Sequence, residues 1–133
     1  QASDNIPMLR RLGADPLILK ETRVDAIKGL VDTMDAAVAA PPMLRIPALV
    51  LYGARDELIP RQPTFDMIRA LPAGIGHLPA VYRSGWHMLL RDLKAKTVLD
   101  DIVAWINDPA APLPSGADRA AKTALAARGG KEP

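Results

Sequence analysis

Cysteine is absent from the 133 residues. That excludes disulfide frameworks, thiolate zinc sites and cysteine nucleophiles. Histidine is nearly absent as well: His77 and His87 alone cannot build a multi-histidine metal site. No apolar run approaches the roughly 18 residues that would read as a membrane span. Excess charge of one sign is missing too. Lys and Arg number 17 against 15 Asp and Glu, a net charge of +2. A nucleic-acid binder needs a basic face that this balance does not supply. Serine is scarce: Ser3, Ser84 and Ser115 are the three in the chain, and none lies in a Gly-x-Ser-x-Gly setting. The chain opens on Gln1 followed by polar and Pro-containing residues, unlike the basic-then-apolar start of a signal peptide. It reads as a processed product or a piece of a longer polypeptide.

What is present is the mix of a globular protein, 49% hydrophobic and 24% charged. Composition divides the chain in three. Residues 109–133 stand apart, because 15 of these 25 are Ala, Pro or Gly, and Leu113 and Leu125 are their only large apolar side chains. Such a segment buries too little surface to offset the entropy of ordering, so a mobile tail is expected. An Ala-rich helix over Asp118–Arg128 would be marginal in isolation. The net positive charge also belongs to this tail; residues 1–108 sum to zero. Residues 1–21 are irregular, with a helical turn at Met8–Leu12 that stops near Gly13, and residues 22–108 form the main region.

Periodicity orders that region. Val24, Ile27, Leu30, Val31, Met34 and Val38 recur at helical steps and predict a helix over Thr22–Ala40, capped by Thr22 and ended by Pro41-Pro42. Ile46–Tyr52 is apolar without alternation, the pattern of a strand covered on both faces. Pro63–Leu71 reads as a short helix and Leu78–Tyr82 as a second strand. Ala95–Asn107 reads as a closing helix with Val98, Ile102, Trp105 and Ile106 inward. Strands alternating with helices predict parallel strands and an α/β fold.

In such sheets functional groups gather at the carboxyl ends of strands. Asp56 follows the first strand there and His87 follows the second, 31 residues on. A strand–helix–strand unit sets these loops side by side. An Asp presented to a His is the back half of a nucleophilic triad. The carboxylate holds one tautomer of the imidazole, and the imidazole shuttles the proton of a nucleophile. Considered singly, Asp56 is also a common turn residue, and His87 also suits a hydrogen-bonded loop position. His77, in a Gly-rich turn, is expected to be solvated. Ser84 lies too near His87 in sequence to serve as its nucleophile. Arg55 and Glu57 read as surface charges.

The stretches Ile46–Asp56 and Tyr82–Asp92 resemble the C-terminal part of an α/β-hydrolase. The nearer likeness is to the lysophospholipase and monoacylglycerol-lipase branch, grouped with the serine aminopeptidase-like hydrolases. The resemblance rests on Gly53-x-x-Asp56 after a buried strand, then on Tyr82-x-x-Gly85-x-His87 followed by Leu90 and Asp92. It extends to the helix with Ala104-Trp105-Ile106, and Asp15-Pro16-Leu17 is similar to the end of a lid, which makes residues 1–21 a lid remnant. The likeness implies a Ser-His-Asp ester hydrolase in which Asp56 orients and His87 is the general base and acid. It implies no metal or organic cofactor. Trp86 and Met88 become candidate substrate contacts.

One departure is large. The family carries its nucleophile on a Gly-x-Ser-x-Gly elbow upstream of the acid and base, and no such elbow occurs here. The expectation is an incomplete fold whose nucleophile comes from an upstream half of the same enzyme or a second polypeptide. An isolated 133-residue chain would then be inactive. The substrate would be an acyl-ester lipid, with peripheral membrane contact. Two rivals stand beside this reading. One is a non-catalytic fragment or binding module, whose exposed strand edge and apolar face invite self-association. The other is a hydrolase with an aspartate nucleophile, of the dehalogenase or epoxide hydrolase type.

Overall fold

A computed structural model describes residues 1–127. Two parallel strands form its sheet, β1 (Leu49–Gly53) and β2 (Leu78–Tyr82), paired from Leu49 opposite Leu78 to Gly53 opposite Tyr82. The helices are α1 (Ile6–Ala14), α2 (Val24–Ala39), α3 (Arg61–Arg69), α4 (Ala95–Asn107) and α5 (Ala117–Ala126), with a 3-10 turn at Pro41–Met43. β1 starts later than the apolar run because Pro47 has no N–H to pair and the ladder begins where β2 does. The first link is Leu78 N–H to Ala48 O at 2.9 Å.

Alternation along the strands sorts the core into two layers. Leu49, Leu51, Leu78, Ala80 and Tyr82 pack on one face with Val98, Ile102 and Trp105 of α4. Val50, Tyr52 and Val81 pack on the other with Phe65 and Ile68 of α3. Both faces of the sheet are therefore covered, as the unbroken apolar run predicts. Ile106, expected inward, is exposed.

Residues 109–127 are not the loose tail that composition predicts. Leu113 is 1% exposed, and Ala117 and Ala121 are buried. Ala117 joins the α4 layer while Ala121 joins the α3 layer, and α5 contacts β2. The helix thus straddles the edge of β2. Small side chains are what allow it to lie so close, so the Ala-rich composition that argued against packing is the means of packing. A fully buried carboxylate ties the segment down: Asp101 accepts the Tyr82 hydroxyl at 2.9 Å and the Ser115 N–H at 3.0 Å, and also receives the Ser115 hydroxyl. Burial first, and the Asp101 carboxylate second, push the Tyr82 hydroxyl far above its ordinary range. Residues 128–133, the end of the expected tail, lie outside the described residues.

At the other end, Asn5 caps α1 by accepting the Met8 N–H at 3.2 Å, which lengthens the expected turn at Met8–Leu12 into a helix. α2 begins at Val24 behind Arg23, with no side-chain cap, so Thr22 is not its cap. No residue of α2 is buried. Its apolar positions Val24, Ile27, Leu30, Val31, Met34 and Val38 are 46–82% exposed. The predicted inward stripe exists, and the described residues place nothing over it.

Candidate active site

β1 and β2 end level with each other, and their continuations stay bonded. Ala54 N–H donates to Tyr82 O and Arg55 N–H to Gly85 O, each at 2.9 Å. This crossing needs two residues without side chains. A Cβ on Gly53 would lie 2.4 Å from Trp86 O and 2.6 Å from Gly85 O. A Cβ on Gly85 would meet Leu89 at 2.4 Å. The glycines of the two motifs therefore let one loop rest on the other, and neither strand sequence read alone signals that contact.

The consequence is a direct pairing. His87 Nδ1 lies 3.0 Å from Asp56 Oδ2. An ionised carboxylate only accepts hydrogen bonds, so Nδ1 carries the proton, and in the neutral ring Nε2 keeps its lone pair. The Asp56 side chain is 7% exposed and that of His87 41%. The second oxygen of Asp56 has other partners: Oδ1 accepts the Leu58 and Ile59 N–H groups at 2.8 and 3.0 Å. Asp56 is a turn aspartate and a histidine partner at once. Burial pushes its carboxyl up, but the Ile59 N–H, the His87 ring and the Leu58 N–H together outweigh burial and hold it below the usual carboxylate value. The Tyr52 hydroxyl steadies the same loop by donating to Ile59 O at 3.1 Å. The Leu58, Ile59 and Tyr52 contacts are absent from the sequence reading; Asp56 two and three residues ahead of these amides was the available signal.

Around the pair, Trp86 is half-buried beneath the Arg55 guanidinium, 5.9 Å from the ring centroid. Arg55 is thus more than a surface charge. Met88 is half-buried, and its N–H donates to Ala2 O at 2.9 Å. Ser84 makes no hydrogen bond to His87; it lines a cavity of about 680 Å³ with Tyr82, Lys94, Thr97 and Ser115. His77 departs from its expectation. The residue is half-buried just ahead of β2, and both its ring nitrogens are buried without partners among the described residues. Among the described residues, no cluster of three His, Asp or Glu side chains could hold a metal ion.

Comparison with known proteins adds two findings. The family model for serine aminopeptidase, S33, matches residues 1–94. A monoacylglycerol lipase of Mycolicibacterium smegmatis (strain ATCC 700084 / mc(2)155) is 32% identical over 97 residues, which is 70% of this chain and 33% of the lipase. The chain therefore spans about a third of the length of that relative. The motifs at Asp56 and His87 both fall within the matched region, and the parallel strands with helices on both faces agree with it. This chain belongs to the serine aminopeptidase S33 family of α/β-hydrolases.

Proposed function

We propose that the chain supplies the acid and base of a serine ester hydrolase, with the nucleophile on polypeptide outside these 133 residues. The observation that carries this reading is the 3.0 Å contact between His87 Nδ1 and a nearly buried Asp56 carboxylate. That contact leaves Nε2 free of any hydrogen bond among the described residues. In the reaction, Nε2 takes the proton of the serine hydroxyl as its oxygen attacks the ester carbonyl. The imidazolium, stabilised by Asp56, then gives that proton to the departing alkoxide, and the acyl group stays on serine. Water repeats the sequence: His87 removes its proton as its oxygen attacks the acyl carbonyl, the acyl–serine bond breaks to release the carboxylic acid, and the serine oxygen recovers the proton. The substrate class is an acyl-ester lipid of the monoacylglycerol type, by likeness to the lipase. Trp86 and Met88 flank His87 and are the proposed acyl contacts.

The partner is the segment that bears the nucleophile. Three features support a docking face for it. β1 has β2 on one edge and no strand on the other among the described residues. The apolar stripe of α2 is uncovered. Beside β1, an apolar groove of about 410 Å³ is lined by residues that include Ala40, Met43, Leu44, Val50, Met67 and Leu71.

The test joins this chain to a nucleophile-bearing segment in one polypeptide and measures hydrolysis of a monoacylglycerol. Substitution His87→Ala is expected to lower kcat by at least about a thousandfold with folding retained. Near-normal turnover would overturn the assignment. Labelling by a fluorophosphonate tests the serine against an aspartate nucleophile, which would not react.

A further inference from the structure

His87 is fixed by its side chain at one ring nitrogen only, so the place of the ring depends on the backbone that carries it. That backbone is bracketed. On one side the Trp86 N–H donates to Asp92 Oδ2 at 2.8 Å. On the other the Met88 N–H donates to Ala2 O at 2.9 Å. Asp92 is 5% exposed and makes no hydrogen bond to Asp56 or His87. Its Oδ1 accepts the hydroxyl of Ser3 at 2.6 Å, and Ser3 is wholly buried. The Ser3 hydroxyl oxygen in turn accepts the Asn5 N–H at 3.2 Å. Two more bonds bind the same strap to the same turn: Leu93 N–H to Asp4 Oδ1 at 2.8 Å, and Asn5 Nδ2 to Arg91 O at 2.9 Å. Residues 2–5 are therefore stitched to the His87 turn, so the start of the segment expected to be a lid remnant serves as an anchor.

We propose that Asp92, held by Ser3, is the positioning residue for His87, acting through the Trp86 amide. This deepens the proposed function and rests on the Asp56–His87 pairing. A carboxylate accepts at both oxygens, whereas an amide has one acceptor oxygen. Asp92→Leu, which has none, keeps the branched shape but accepts from neither Ser3 nor Trp86. A buried donor left without its acceptor shifts its backbone or admits water, and the turn carrying His87 is the segment that moves.

The experiment is long-range proton–nitrogen NMR of the imidazoles in the 133-residue chain, which reports the share of Nδ1–H tautomer at His87 without any need for activity. The parent chain is expected to show Nδ1–H at His87, and Asp56→Asn to lose it. Asp92→Leu is expected to lower the Nδ1–H share while the methyl spectrum of the core, the new leucine apart, stays that of the parent. Unchanged His87 ring signals in folded Asp92→Leu would overturn the positioning role. Should Asp92→Leu fail to fold, Ser3→Ala decides: a smaller shift in the same direction supports the proposal and an unchanged ring overturns it. If Asp56→Asn leaves the His87 signals as they are in the parent, the pairing itself fails, and the proposed function with it, whatever the Asp92 variants do.

Discussion

The two oxygens of Asp56 divide its work, Oδ2 toward His87 and Oδ1 toward the Leu58 and Ile59 amides. The amides keep the carboxylate from rotating away, and the same bonds offset the effect of burial on its ionisation. A linkage follows. The folded carboxyl is depressed relative to its ordinary 3.8. Its contribution to stability is therefore fully present above that value and is lost as pH falls through the lower folded value. Asp56→Asn removes this titration. Denaturant unfolding below pH 3.8 is expected to show a shallower loss of stability in Asp56→Asn than in the parent. Equal slopes would mean that the carboxyl is not held by these partners. At this scale the sequence was informative about which residues meet, since Asp56 and His87 each follow a strand at its carboxyl end. It was silent on how closely. The approach depends on Gly53 lying under the carbonyls of Gly85 and Trp86, a contact between residues more than thirty positions apart.

At the scale of elements, α5 is the instructive case. Ala favours the helix, but nucleation is costly and an isolated helix of this length is marginal even when Ala-rich. In the fold it gains what isolation denies, a strand edge to lie on and a buried Leu113 behind it. Removing residues 109–133 uncovers the β2 edge and both ends of the core. Truncation after Asp108 is expected to lower the thermal midpoint clearly, and Leu113→Ala alone to cost about 2–5 kcal/mol in denaturant unfolding. A truncated chain with the parent's midpoint would show that α5 contributes nothing to the core. By contrast, α4 was legible to the residue at both ends, because its apolar spacing is strong and its burial is one-sided.

At the scale of the whole molecule, the described residues combine a sheet covered on both faces with an uncovered helix. α2 keeps a regular apolar stripe from Val24 to Val38 in solvent, and β1 has one edge without a strand among the described residues. A patch of that kind associates with another surface. Sedimentation is expected to show concentration-dependent self-association of the isolated chain. Ile27→Lys, Leu30→Lys and Met34→Lys together are expected to abolish it without shifting the melting midpoint, since none of the three is buried. A parent chain that stays monomeric at all concentrations would remove the case for a docking face there.

Local chemistry determined much of this protein by itself. The unbroken apolar run made a strand covered on both faces, helical spacing made α2, α3 and α4, and the strand-end positions of Asp56 and His87 marked the site. These signals lie within a few residues of one another, where periodicity and turn preference act. Tertiary structure decided the remainder. It set Gly53 against Gly85, buried the ring nitrogens of His77 and laid the Ala-rich segment along β2. It bound residues 2–5 to the His87 turn, Ser3 through Asp92, and among the described residues it left the α2 stripe uncovered. Each of these outcomes depends on what stands opposite a residue in space, and neither composition nor spacing carries that information.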